Sequence, residues 1–159
     1  MAAMKSFPYK AAVVACKGGC RNTSCSDGCI GCRNCIDNCQ YGAIEINELG
    51  IAEVNESKCF ACGRCVESCP MGIIRIHDAA VSIVVKCSNT AAGKDARTQC
   101  SVSCIGCGIC VKACTASAIH VVNNVAVIDE RYCLSCGNCA VKCPRGAISD
   151  MRGIIKPRN

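Results

Sequence analysis

The sequence predicts an α+β fold, a unit of short antiparallel hairpins and short helices built twice in tandem. Three observations carry that expectation. Four cysteine runs of one spacing punctuate the chain, strand-length apolar stretches follow them, and the second half restates the first. With stretches that short and no bulky core, closely spaced cysteines must staple the fold.

The last run shows the spacing most fully. Cys133-Leu134-Ser135-Cys136-Gly137-Asn138-Cys139-Ala140-Val141-Lys142-Cys143-Pro144 places thiols at i, i+3 and i+6, with a fourth four residues later before a proline. The other three are Cys29-x2-Cys32-x2-Cys35-x3-Cys39, Cys59-x2-Cys62-x2-Cys65-x3-Cys69-Pro70 and Cys104-x2-Cys107-x2-Cys110-x3-Cys114. Such a loop can wrap a cuboidal centre and offer a thiolate to each of three irons. This is the bacterial 4Fe–4S spacing, whose fourth Cys ligates the other cluster of a pair. Zinc also accepts four thiolates, but zinc ribbons use separated C-x2-C pairs. Gly31, Gly63, Gly108 and Gly137 keep side chains off the centre and leave N–H groups for its sulfurs, besides serving as tight turns.

Taken in order, residues 1–10 read as a loosely held leader. Ala12-Val13-Val14-Ala15-Cys16 reads as a short buried strand, and residues 17–28 as a polar loop carrying Cys20 and Cys25. After the first run, Ala43-Ile44-Glu45-Ile46 alternates as a strand, Glu48-Leu49-Gly50 turns, and Ile51-Ala52-Glu53-Val54 pairs back. Ile73-Ile74-Arg75-Ile76 follows the second run. Val84-Val85-Lys86-Cys87 then restates Val13-Val14-Ala15-Cys16 at an offset of 71, and Cys100 to Cys107 restates Cys25 to Cys32 at an offset of 75. Ala118-Ile119-His120-Val121-Val122 and Val125-Ala126-Val127-Ile128 form a second hairpin, with Asn123-Asn124 as its turn. The expected organisation is a first half at 11–78, a second at 79–150 and a basic tail at 151–159.

Composition agrees. The 159 residues include 21 Cys but only two Phe, three Tyr and no Trp. Disulfides would require export, and Met1-Ala2-Ala3-Met4-Lys5 leads into Ser6-Phe7-Pro8 without an apolar leader segment. Thiolates in a reducing, cytoplasmic setting are the expectation. The apolar stretches fall far short of the roughly 18 residues of a membrane span. The formal charge of +6 offsets centres that each carry roughly −2 with their four thiolates. Nucleic-acid binding is not expected, because uninterrupted basic stretches and stacking aromatics are missing.

The segment Val84-Val85-Lys86-Cys87, a polar loop with Gly93-Lys94, and then Cys100-Ser101-Val102-Ser103-Cys104-Ile105-Gly106-Cys107-Gly108 resembles one family closely. It is similar to the ferredoxin portion of RnfB, a subunit of the Rnf ion-translocating ferredoxin:NAD oxidoreductase, over about residues 11–149. Two departures stand out. RnfB begins with a membrane anchor and a further cluster-binding segment that have no counterpart here, and Gln40 and Thr115 replace the proline after runs one and three. The resemblance implies a polyferredoxin, a tandem of two-cluster bacterial ferredoxins; the departures point to a stand-alone RnfB-like protein, the alternative being a fragment of a longer RnfB.

Crossed ligation of the paired runs gives four ligand sets. They are Cys29, Cys32, Cys35 and Cys69; Cys59, Cys62, Cys65 and Cys39; Cys104, Cys107, Cys110 and Cys143; and Cys133, Cys136, Cys139 and Cys114. Five cysteines stand outside the runs. Cys16, Cys25, Cys87 and Cys100 correspond in the repeat and are candidates for a further centre, although small buried packing residues are the leading expectation. Cys20 has no counterpart. His77 and His120 sit at strand ends with no catalytic partner, and no Gly-rich nucleotide loop occurs. The Lys94/Arg97 loop and the tail residues Arg152, Lys156 and Arg158 could attract an acidic partner. The expected function is an electron-transfer subunit with four 4Fe–4S clusters and no substrate chemistry of its own. It would relay electrons between a catalytic oxidoreductase subunit and a soluble ferredoxin or a flavin- or NAD-linked partner. The alternatives are a freely diffusing ferredoxin, or a redox sensor or cluster-storage protein using the extra cysteines.

Overall fold

The computed structural model describes residues 9–19 and 25–156. Cys20, the first eight leader residues and the last three tail residues lie outside them. The chain divides into two units, one of residues up to 14 with 29–80, the other of 15–28 with 81 onward. The expected halves at 11–78 and 79–150 differ from this division in residues 15–28. That segment is hydrogen-bonded to the second unit: Ser88 Oγ donates to Ala15 O at 3.1 Å, and Ser101 N–H to Gly19 O at 3.3 Å.

The first unit contains β1 (Lys10–Val14), α1 (Asn34–Asp37), β2 (Ile44–Ile46), β3 (Ala52–Val54), α2 (Arg64–Ser68) and β4 (Ile74–Asp78). β1 pairs antiparallel with β4, Ala12 opposite Ile76 and Val14 opposite Ile74, while β2 and β3 form a hairpin. Strand side chains alternate between faces, so Ala12 and Val14 share one face of β1, and each lines one of two hollows described below. Small residues suit that position: Ala11, Ala12 and Val13 are essentially inaccessible.

The second unit contains β5 (Ile83–Val85), α3 (Gly93–Gln99), α4 (Ile109–Ala113), β6 (Ile119–Val122), β7 (Val125–Ile128), α5 (Asn138–Lys142) and β8 (Ile148–Asp150). β5 pairs antiparallel with β8, and β6 with β7. Asn123 and Asn124 both take positive φ, 48° and 65°, as a tight primed turn requires. Ile83, Val85, Ile119, Ala140, Ala147 and Ile148 form its apolar core, which also takes in several cysteines. Both units therefore consist of small antiparallel pairs with short helices.

The expected Lys94/Arg97 loop is instead the helix α3. Asp95 lies in its first turn, Arg97 in its last, and Ala96 is fully buried. Those charges complement the helix dipole, and the fixed Ala96 contact outweighs the loop signal of Gly93. The tail is tethered as well. Asp150 accepts the N–H groups of Arg152, Ile154 and Ile155 at 3.0–3.2 Å, and Ile155 packs against the core.

Candidate metal centres

Each cysteine run folds in the same way. A tight loop delivers the first two thiols, and the residue after the second caps the start of a one-turn helix. That residue is left-handed in all four: Arg33, Gly63, Gly108 and Gly137, with φ of 67°, 80°, 71° and 77°. The reversal buries the third thiol and leaves the second at the surface. Cys35, Cys65, Cys110 and Cys139 are buried, whereas Cys32, Cys62, Cys107 and Cys136 are exposed. No disulfide joins any of the twenty described cysteines.

Three of the expected sets each line one hollow. Cys29, Cys32, Cys35 and Cys69 line one hollow with Val14, Ala52 and Ile74. Cys39, Cys59, Cys62 and Cys65 line a second, walled by Ala12, Ile44 and the Tyr41 and Phe60 rings, whose centroids are 4.6 Å apart. Cys104, Cys107, Cys110 and Cys143 line a third, with Ala126 and Arg145. Of the fourth set, Cys139 lies in the second unit's apolar core with Cys114 and Cys133 packed against it; the Cys133 thiol is raised first by burial, and Cys114 and Cys136 add to it. Cys139 is pushed up to about 12 by burial, with Cys133 of its own set and Cys110 of the third contributing.

These thiols are hard to ionise without a metal. Burial pushes Cys65 and Cys110 up to about 11, and neighbouring thiolates oppose ionisation further. A buried group resists its charged form unless a counter-charge is supplied, and iron supplies it while displacing the protons.

Two further observations fit a sulfur-rich centre. Backbone N–H groups already point at the thiols: Ala52 donates to Cys29 Sγ and Ala126 to Cys104 Sγ, both at 3.4 Å. Ala43 donates to Cys39 Sγ at 3.4 Å and Ala118 to Cys114 Sγ at 3.3 Å. These pairs occupy equivalent places in the two units, and such bonds tune the potential of a centre. The second observation is Arg145. Its Nη2 donates to Cys100 O at 2.7 Å, while its buried Nε finds no acceptor among the described residues. A buried donor without a partner is costly, and a cluster sulfur in the hollow it lines would satisfy it. The donor chemistry therefore fits 4Fe–4S clusters, which these thiols would hold and each of which would supply one-electron redox capacity. Among the described residues, no three His, Cys, Asp or Glu side chains gather closely enough to hold a single metal ion.

Sequence reasoning missed Arg145 and the alanine N–H donors. The recurrence of Ala43 as Ala118 and of Ala52 as Ala126 was the available signal for the latter. His77, expected to be inert, is buried with Nε2 at 3.2 Å from Glu56 Oε1.

The 4Fe-4S dicluster domain family matches residues 28–79 and 103–147, and a second family of the same description matches residues 58–119. The chain is 38% identical over 124 residues to the B subunit of the ion-translocating oxidoreductase complex of Methanosarcina acetivorans, covering 78% of this chain and 47% of that protein. It is 43% identical over 125 residues to the B subunit of the Na(+)-translocating ferredoxin:NAD(+) oxidoreductase complex of Acetobacterium woodii, covering 79% and 38%. Against the B subunit of the proton-translocating ferredoxin:NAD(+) oxidoreductase complex of Clostridium ljungdahlii, identity is 40% over 153 residues, covering 92% and 53%. The chain thus spans about half the length, or less, of the curated relatives it matches. Among the described residues no helix is long and apolar enough to cross a membrane. The chain belongs to the 4Fe-4S dicluster domain family, and its two dicluster domains give it four 4Fe–4S clusters.

Proposed function

We propose that this chain is the polyferredoxin subunit of a cytoplasmic-facing redox complex, relaying single electrons between a catalytic oxidoreductase subunit and a ferredoxin or a flavin- or NAD-linked partner. The relatives' names, subunits of ferredoxin:NAD(+) oxidoreductase complexes, support that choice of partners. The reading assigns the ligands by the four crossed sets, with Cys69 and Cys143 serving the first and third centres and Cys39 and Cys114 the second and fourth. It assigns the chain no substrate chemistry of its own. It also takes the sequence halves at about 11–78 and 79–150 as tandem copies of one two-cluster α+β ferredoxin, because β1–β4 and β2–β3 correspond in order to β5–β8 and β6–β7.

The observation that carries the reading is the thiol arrangement. Every run buries its third thiol and exposes its second, which gives each centre an apolar bed and one edge near solvent where an electron can enter or leave. The low-polarity bed limits reorganisation on reduction, and the paired runs keep neighbouring centres close.

Anaerobically purified protein should carry no fewer than about sixteen iron and sixteen sulfide per chain, with absorbance bleached by dithionite. Stoichiometric zinc with little iron would sink the proposal. Tagged protein drawn from its native host should retain a larger flavin- or NAD-linked subunit, whereas elution as a lone small protein would favour a free carrier.

A further inference from the structure

The four cysteines outside the runs meet in one place. Cys16, Cys25, Cys87 and Cys100 all line a single hollow of the second unit, together with Lys17, Asp27 and Lys86. Its empty volume, ≈ 270 Å³ with its open mouth included, is close to the ≈ 320–350 Å³ of the hollows lined by the run thiols. Cys16, Cys87 and Cys100 are as buried as the third thiol of each run, at 7%, 8% and 7% exposure. Packing residues need not converge, yet these come from two segments more than sixty residues apart in sequence. We propose that Cys16, Cys25, Cys87 and Cys100 hold a fifth 4Fe–4S cluster, seated in the second unit beside the Cys104 centre.

The surroundings argue for a bound anionic centre. The 15–28 segment is fastened where its thiols must be held. The Asp27 carboxylate accepts the Thr90 N–H at 2.9 Å and the Thr90 hydroxyl at 3.2 Å, and the Ser88 hydroxyl donates to Ala15 O at 3.1 Å. Cys87 Sγ already accepts a backbone N–H, that of Cys104, at 3.2 Å, the same kind of bond the run thiols accept. Lys17 and Lys86 both line the hollow with a single carboxylate, Asp27, so its charged lining carries a net positive charge. A cluster with four thiolates carries roughly −2, and the two lysines would offset that charge. A single zinc ion fits less well. It would draw four sulfurs to about 2.3 Å from one point, and the described thiols are not gathered so closely. The repeat explains the pattern: each half supplies two thiols at equivalent positions, and the chain brings both pairs to one site.

The test is metal analysis of the intact, anaerobically purified chain alongside two variants. Wild-type protein should hold about twenty iron and twenty sulfide, the double variant Cys87→Ser/Cys100→Ser about sixteen of each, with the remaining clusters reducible. Cys25→Ala, at the less buried edge, guards against misfolding of the double variant. It should lose between one and about four iron, with a three-iron EPR signal marking partial loss. Wild-type protein at sixteen iron, iron unchanged in both variants, or one zinc lost in place of four iron would each overturn the fifth cluster. Wild-type protein well below sixteen iron would instead sink the four-cluster assignment above.

Discussion

The backbone N–H of Cys104 donates to Cys87 Sγ at 3.2 Å. On the proposed ligand assignment, one residue offers its side chain to the third centre and its backbone to a thiol of the fifth. Its neighbour Ser103 is anchored too, its hydroxyl donating to Ala96 O at 2.7 Å. Two anionic centres held this close must feel each other's charge. Removing the fifth in the Cys87→Ser/Cys100→Ser protein should make the Cys104 centre easier to reduce, so its potential should rise. An EPR-monitored redox titration in which all four remaining potentials stayed fixed would contradict that coupling.

Arg145 spans the same two sites, donating to Cys100 O while its Nε is left without an acceptor among the described residues. Its positive charge and N–H group favour the more reduced, more negative state of the cluster whose hollow it lines. Arg145→Leu should therefore lower one potential and leave the first unit's two unchanged, and Arg145→Lys should fall in between. Equal shifts across all clusters would mean that the substitution had loosened the protein rather than removed a specific donor.

Much of this arrangement was legible in the sequence because it is local. A run of thiols at i, i+3 and i+6 prescribes its own loop, and Asn123-Asn124 prescribes its own turn, so runs and hairpins stand where they were expected. What the sequence hid depends on distant packing. Nothing in residues 15–28 says that they leave the unit of β1 for the second, because the bonds to Ser88, Thr90 and Ser101 come from sixty residues or more downstream. The separations of Cys16 from Cys25 and of Cys87 from Cys100 match no known run, so their convergence could be read only in three dimensions. The helix α3 was missed for a related reason: Gly93 signals a loop, while the burial of Ala96 that decides the matter is tertiary.

The C-terminal segment rests on one carboxylate. Burial alone would raise the Asp150 pKa, but the N–H groups of Ile155, Arg152 and Ile154 and the Ser82 hydroxyl together hold it below its ordinary 3.8. A depressed folded pKa contributes stability that is present above the unfolded value and lost as pH falls through the folded one. The tether is therefore complete at neutral pH and fails only below pH 3.8. Asp150→Ala should destabilise the second unit by about 1 kcal/mol and speed amide exchange in residues 151–156. The difference from wild type should stay constant from about pH 6 to pH 8; a change across that window would assign the tether to another group.

Arg33 is the one non-glycine among the four left-handed residues that open the run helices. For a side chain that conformation costs roughly 1 kcal/mol. Arg33→Gly removes the strain, while the greater freedom of glycine in the unfolded chain offsets part of the gain. The net change should be a stabilisation of a few tenths of a kcal/mol to about 1 kcal/mol. The reverse change at Gly63 is a clean counterpart, because an added Cβ there meets nothing within 4 Å. Gly63→Ala should thus cost only the backbone strain, about 1 kcal/mol. Gly137→Ala carries the same strain and also drives its Cβ into the Ile155 side chain, which must move aside. Iron release to a chelator, followed optically at one temperature, should be slowest for Arg33→Gly, then wild type, then Gly63→Ala, and fastest for Gly137→Ala. An Arg33→Gly protein that lost iron faster than wild type would show that the arginine side chain contributes more than its backbone costs.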